Sequence, residues 1–526
     1  MSNPRITPVV RHRPVRYHAD ASSLFAHLGG VEATDSLLLE SADITTKSGL
    51  NSVAVLSSSL RITCNGDEVR IEELSASGAH FARQVYERLG DYAVDTHTYR
   101  FPVSEAADER ARLADISSAE VLRALTRDAD YHDEHNVLPM LGGGFAFDYL
   151  ATFETLPEVD EGANTYPDYQ FLLAETVLTI NHQRGEAMVH AVRLEAGVDT
   201  LDAELDELAA RIDAAEPHAA HAYQASPHPA DTLRVTTDIS DAEFRDAVTG
   251  LKESVYNGDI YQVVPARTFM ADCPDAFAAY RRLRAANPSP YMFYARGLDR
   301  FGQPYELFGA SPESNLKYDS ASREVQLYPI AGTRPRGLDD NGEIDDELDI
   351  RMELELRTDA KEIAEHTMLV DLARNDLARV GVLGTRKVAE LLQVDRYSRV
   401  MHLVSRVVAQ LDPTLDALDA YRACMNMGTL SGAPKLKAME LLRGVEKRRR
   451  GSYGGAIGYL RGNGDMDNCI VIRSAYVRDG VAAVQAGAGV VRDSNPQSEA
   501  DETLHKAYAV LSAIAAAANA ELEVVR

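Results

Sequence analysis

The chain has 526 residues, 45% hydrophobic and 26% charged, with a formal net charge of −27. This is globular composition, long enough for more than one core. The charge excludes nucleic acid or an anionic membrane as main partner, while screening over about 8–10 Å leaves room for a local cationic pocket that takes a small anion.

Four scattered cysteines form no CxxC pair, no apolar run reaches membrane-spanning length, and the first residues lack an apolar signal core. They predict a soluble cytoplasmic protein and offer neither a disulfide framework nor a zinc site. Through residue 216, strand-like runs (SLLLESAD, SVAVLSSSLRITCNGDEVRIEEL) alternate with helical ones (SASGAHFARQVYERLG). FLLAETVLTINHQRGEAMVHAVRL predicts a hairpin of two long strands, followed by a helix in LDAELDELAARIDAAE. Residues 217–231, rich in Ala, His and Pro, predict a linker between an N-terminal region, 1–216, and a C-terminal region, 232–526. DISDAEFRDAVTGLKESVYNGDIYQVVPARTF then gives a capped helix, a turn at Asn257-Gly258 and a strand.

Strands and helices mix irregularly instead of alternating as βαβ units. The expected class is α/β (α+β), a large mixed or antiparallel sheet sandwich covered by helices. GGG at 142–144 and AGAGVV at 486–491 lack the strand–GxGxxG–helix context, and no GxxxxGK[ST] occurs. That rules out dinucleotide and P-loop readings. The charged runs LDDNGEIDDELD (338–349) and EKRRRG (446–451) are expected to be solvated loops.

DAKEIAEHTMLVDLARND, residues 359–376, predicts an amphipathic helix capped by Asp359, with Ile363, Ala364, Met368, Val370, Leu372 and Ala373 on its apolar side. Glu362 and Glu365 stand three apart, where like charges repel. A second helix, capped by Asn495 with Pro496 in its first turn, repeats the spacing at Glu499 and Glu502, with Lys506 four beyond. Either pair alone reads plainly as a solvated acidic face. Two such pairs form an oxygen-only ligand set of the kind that suits magnesium. Other candidates are Glu313 after a Ser-Pro turn, the loop PIAGTRPRG (329–337) as an anion cradle, His402 in an apolar strand, Tyr453, Arg473, and the close-approach backbone of QAGAGVV.

In order, LLLESAD, NPSPYMFY, PIAGTRPRG, KEIAEHTMLVDLARND, VMHLVS and EADETLHKA resemble the chorismate-utilising enzymes, in particular the component I family of anthranilate synthases. The resemblance runs over nearly the whole chain. It implies magnesium held by Glu365 and Glu502, with Glu362 and Glu499 acting through water, and gripping the substrate's ring carboxylate. It also implies Gly332, Thr333 and Lys506 at that carboxylate. Tyr453, Arg473 and the backbone of Gly487, Ala488 and Gly489 would hold the enolpyruvyl carboxylate. Glu313 would be general acid, His402 a proton-transfer group in pyruvate elimination, and Thr429 a pocket residue.

Relatives that add water at ring C2 resemble one another in a lysine where this chain has Gln262, and relatives that attack the ring covalently carry a lysine where it has Ala331. Neither residue is a base or nucleophile, so ammonia is the expected nucleophile. The chain shows no glutaminase motif, and a separate glutamine amidotransferase subunit is expected to deliver it. Leu39, Glu40, Ser41, Pro290, Tyr291 and Met292 resemble the family's tryptophan feedback site, with Asn51 departing from a lysine found in some relatives. Rival readings are an enzyme that stops after amination, and a non-catalytic ligand-binding regulator.

Overall fold

The computed structural model describes residues 8–41, 51–194, 198–216, 231–339, 342–397 and 400–526. Among them, 22 strands hydrogen-bond into one continuous network, and Gln262–Val263 pairs with Gly432–Ala433 in a separate ribbon. Pairing between these strands is antiparallel except where Ala520–Val524 runs parallel to Asp231–Thr237. The mixed sheet with helices packed outside it is the expected class.

The predicted hairpin is Tyr169–Asn181 with Glu186–Leu194. Its first strand also pairs along the 15-residue strand Asn51–Asn65, whose β-branched and apolar residues are buried on both faces over most of its length. Two large apolar clusters fill most of the molecule, with a small third at Leu356, Met401 and Leu403. One of the two gathers Phe81, Tyr99, Phe145, Tyr169 and Tyr421. In the other, Phe25, Phe277, Tyr280, Tyr294 and Phe308 meet Leu504, Val510 and Leu511 of the Pro496–Ala517 helix.

Strands from before residue 216 and after 232 share this sheet: Ser36–Glu40 pairs with Tyr291–Leu298, and Met140–Phe145 with Ala456–Arg461. Residues 217–230 of the expected linker lie outside the described residues, and Asp231 already opens a strand. Among the described residues no helix is long and apolar enough to cross a membrane. All four cysteines are buried and unpaired.

The two charged runs are not simply solvated loops. Residues 340 and 341 lie outside the described residues, but Asp346 opens the Asp346–Thr358 helix, and Asp349 is buried against Arg336 (2.7 and 3.0 Å). Arg450, 2% exposed, donates to Leu430 O (2.8 Å), Val264 O (2.7 Å) and Glu446 (2.8 Å). An arginine can be buried when its fork of donors is satisfied, and two of those acceptors, Leu430 O and Val264 O, come from distant segments that a charge run does not reveal.

Arg123 does the same across the molecule. It lies in the Ala119–Leu125 helix and reaches Asp416 (2.7 Å) and Asp419 at the start of the Ala417–Cys424 helix. Replacing Arg123 with Met would strip these buried carboxylates of their main cation, leaving Asp416 its 3.1 Å pair with Arg127. It should cost about 3–5 kcal/mol, read as a lower Tm in thermal scanning; an unchanged Tm would refute the assignment.

Candidate active site

The Ala360–Val380 helix starts where expected, with the Asp359 carboxylate accepting from the N–H groups of Lys361 (2.9 Å) and Glu362 (3.2 Å). Its buried stripe is His366, Leu369, Val370, Ala373, Asp376, Leu377 and Val380. Ala364 is exposed, and Ile363, Met368 and Leu372 are half-buried, so the apolar side lies rotated from the expected one. The reason is His366, which sits in the stripe as a polar anchor. Its Nε2 meets Ser405 Oγ at 2.7 Å and its Nδ1 meets Ala331 O at 3.2 Å, tying the helix to two strands. With that face fixed, Glu362 and Glu365 turn toward the PIAGT strand.

The Pro496–Ala517 helix is capped by Asn495 (3.0 and 3.1 Å to the N–H groups of Gln497 and Ser498). Fully buried Arg267 holds it from behind, donating to Thr503 Oγ1 and Ala500 O, both at 2.9 Å. Glu499 and Glu502 are on the neighbouring face of the same helix. Both glutamate pairs line one cavity of about 400 Å³.

The same cavity collects most of the sequence-predicted set: Gly332, Thr333, His402, Glu313, Thr429, Tyr453, Arg473, Gly487, Gly489 and Lys506. Ala488 does not line it. Its side chain is buried and its N–H is committed to Pro265 O (3.1 Å), so the QAGAGVV backbone offers less to an anion than expected. Gly332 has φ +92°, a backbone conformation that a side chain would strain, and a Cβ there would also stand 3.1 Å from Leu356 Cδ1 and 3.3 Å from Glu362 Oε2. Lys361 was not anticipated, although its i,i+4 spacing to Glu365 was legible; the pair is 3.8 Å apart. Gln262 and Ala331 both face the cavity.

Two groups are tuned for proton transfer. Burial pushes the Glu313 carboxyl up to about 8, against the opposing pull of the Thr429 hydroxyl (Oγ1 donates to Oε1, 3.2 Å), Lys506 and Arg473. Burial, aided by the Arg473 cation, brings His402 down to about 4. At neutral pH the first is a protonated acid and the second a neutral imidazole. His402 Nδ1 meets Thr333 Oγ1 at 2.9 Å, which fixes the ring.

Arg473 sits in the left-handed region (φ +49°), and burial lowers its pKa. Among the described residues it has no ion pair. A desolvated guanidinium held in a strained backbone beside a cavity is a receptor for a carboxylate.

The glutamates also fit a divalent cation. Glu365 is raised by burial and further by Glu362, Glu502 and Glu499; Glu499 is raised by burial and by Glu502. The set is therefore mutually repulsive, a repulsion that Lys361 and Lys506 offset in part. No three of these carboxylates bring oxygens within 4.8 Å of one another among the described residues. Instead Lys506 Nζ pairs with Glu502 at 2.7 Å and donates to Gly487 O at 2.9 Å, while Arg334 takes Glu362 at 3.1 Å. All-oxygen donors, one or two carboxylates and room for water and substrate are what magnesium accepts.

The expected effector residues gather elsewhere, around a cavity of about 890 Å³ lined by Leu39, Glu40, Ser41, Asn51, Tyr291 and Met292. Pro290 does not line it. Glu40 is buried, with Tyr280 Oη and Arg284 Nε (3.1 Å) both on Oε2, and its Oε1 has no partner. Burial raises its pKa.

Fold and cavity together define an enzyme that binds a small polyanion and works on it by acid–base chemistry. The family model of the chorismate binding enzymes matches residues 86–512. Anthranilate synthase component 1 of Vibrio cholerae is 50% identical over 516 residues, covering 96% of each chain. The Escherichia coli protein of that name is 49% identical, with the same coverage. Among solved structures, anthranilate synthase component I from Streptococcus pneumoniae superposes with a TM-score of 0.66 at 28% identity, over 89% of this chain and 93% of that one. The menaquinone-specific isochorismate synthase of Escherichia coli, at 18% identity and a TM-score of 0.63 over 97% and 95%, shares the fold. The chain belongs to the chorismate-binding enzymes and, within them, to the anthranilate synthase component 1 family.

Proposed function

We propose that this chain is the aminating lyase of a two-component anthranilate synthase, turning chorismate and ammonia into anthranilate, pyruvate and water as the first step of tryptophan biosynthesis. The observation that carries this reading is the juxtaposition, in one cavity, of a protonated Glu313, a neutral His402, an unpaired Arg473 and two glutamate pairs. Arg473 and Tyr453 hold the enolpyruvyl carboxylate. Lys506 and the Gly332–Thr333 backbone orient the ring carboxylate. Ammonia forms the bond to C2 as the C4 hydroxyl departs, and Glu313 gives that hydroxyl its proton so that it leaves as water. His402 then moves a proton as the enolpyruvyl C–O bond breaks and the ring becomes aromatic. With Gln262 and Ala331 at the wall, no side chain there competes with ammonia.

Glu365 and Glu502 would hold a magnesium ion, with Glu362 and Glu499 acting through water. When bound, the ion supplies positive charge that lets the substrate's ring carboxylate sit among the glutamates. Chelation should lower turnover by about 10²-fold or more, with recovery on adding magnesium; full-speed anthranilate formation in excess chelator would sink the metal assignment.

Ammonia is mostly ammonium at neutral pH, so a glutamine amidotransferase subunit is the fitting source. The test of the function as a whole is chorismate with ammonium and magnesium, followed by anthranilate fluorescence and pyruvate release. Amination without pyruvate would favour an enzyme that stops at the amino intermediate.

Tryptophan feedback belongs to the larger cavity, where the orphaned Glu40 oxygen suits a ligand's ammonium group. Glu40→Gln should raise the half-inhibiting tryptophan concentration by about 10-fold or more, the worth of one charge-assisted hydrogen bond. An unchanged inhibition curve would remove Glu40 from that role.

A further inference from the structure

A second cluster of ligating side chains lies outside the glutamate cavity, and one member, His135, also lines the larger cavity. His12 lies on the Pro8–Val15 strand, while Glu134 and His135 belong to the segment before the Met140–Phe145 strand. His12 Nδ1 and His135 Nε2 stand 3.4 and 3.7 Å from Glu134 Oε1. One ligand atom from each of the three residues falls within 4.8 Å of the other two, and no other His, Cys, Asp or Glu group among the described residues is so close.

Those separations are long for hydrogen bonds. They are what two ligands keep across a shared ion: donors ~2.0–2.1 Å from a tetrahedral centre stand about 3.3 Å apart. The rings of His12 and His135 meet edge to face, centroids 4.5 Å apart and planes at 89°.

The site is also supported from beneath. Buried Asp133 accepts from the N–H groups of His135 (3.1 Å) and Val137 (3.3 Å), which fixes the segment that carries Glu134 and His135. Its Oδ2 lies 3.0 Å from Nδ1 of buried His190, the cross-strand partner of His12. Asp133 thus anchors the loop that carries Glu134 and His135 beside the strand of His12, through backbone N–H groups and the cross-strand neighbour of His12.

We propose that His12, Glu134 and His135 form a zinc-class transition-metal site with two imidazoles, one carboxylate and an open position for water. The cysteine spacing excluded a thiolate site, and this one could not be read from sequence because His12 is more than a hundred residues from its partners. The site is independent of the magnesium assignment, since imidazole nitrogen selects zinc, nickel or copper over magnesium.

The test is zinc binding by the full chain under excess magnesium, measured by equilibrium dialysis with metal analysis. One zinc should be retained per chain. Binding should weaken by about tenfold or more in His12→Ala and in His135→Ala, and persist in a Glu365→Gln/Glu502→Gln variant. All substituted side chains in the new site are at least partly exposed, so circular dichroism should report folded variants. No stoichiometric zinc, zinc unaffected by either histidine change, or zinc lost in the double glutamate variant would each overturn the proposal.

Discussion

Glu313→Gln is expected to lower kcat by about 10²–10⁴-fold, the usual contribution of a positioned general acid, and to make the protein more stable above neutral pH. The two effects share one cause. Burial holds the Glu313 proton up to about 8, so the carboxyl is an acid at working pH and a buried charge once the pH passes that value. A carboxyl whose folded-state pKa is raised contributes stability that is complete below its unfolded value. That stability is lost as pH rises toward the folded value. The amide cannot ionise and escapes that loss, which amounts to a few kcal/mol.

On the activity side, kcat/KM of the unsubstituted enzyme should fall about tenfold per pH unit above about 8, and the variant's residual activity should lose that limb. Thermal scans and pH–rate profiles of both proteins check the pair of effects. If Glu313→Gln retained normal kcat, or lost activity together with stability at high pH, Glu313 would be a structural residue and not the acid.

What the sequence made legible follows the range of the interaction. Asp359 and Asn495 cap their helices because a cap needs only residues two or three further on. The glutamate pairs were visible for the same reason. The rotation of the Ala360–Val380 helix was not, because a polar residue, His366, occupies its buried stripe and its partners, Ser405 and Ala331, come from other strands. A periodicity reading treats histidine as a surface residue and places the stripe one step round.

Arg450 misreads as surface charge for the same reason: two of its acceptors, Leu430 O and Val264 O, arrive through tertiary structure. Ala488 and Pro290 show the opposite error. Both sit inside motifs whose other members line a cavity, yet a motif does not state which way each residue faces. The resemblance named the cavity's members; only the fold could show that Glu313 and His402 have opposite protonation preferences there.

His402→Asn should separate the two halves of the reaction. His402 is held neutral because burial and the adjacent Arg473 both disfavour its cation, bringing its pKa down to about 4. Its Nδ1 is committed to Thr333, so the ring is presented to the cavity in one orientation. A neutral, oriented imidazole with so low a pKa can take a proton as pyruvate leaves, but it cannot protonate the departing C4 hydroxyl. That task falls to Glu313. Removing the imidazole should therefore slow pyruvate release by about 10²–10⁴-fold while amination at C2 continues. A non-aromatic amino-enolpyruvyl intermediate should accumulate, seen in quenched samples as a species equal to chorismate plus ammonia minus water. Thr333→Val, which leaves the base in place but frees its ring, should cause a smaller loss on the same step. In the unsubstituted enzyme the base is lost only as pH falls through about 4, so the acid limb of kcat/KM should lie there. Anthranilate and pyruvate appearing from His402→Asn in normal ratio and at normal rate, with no intermediate, would mean that the elimination uses another base.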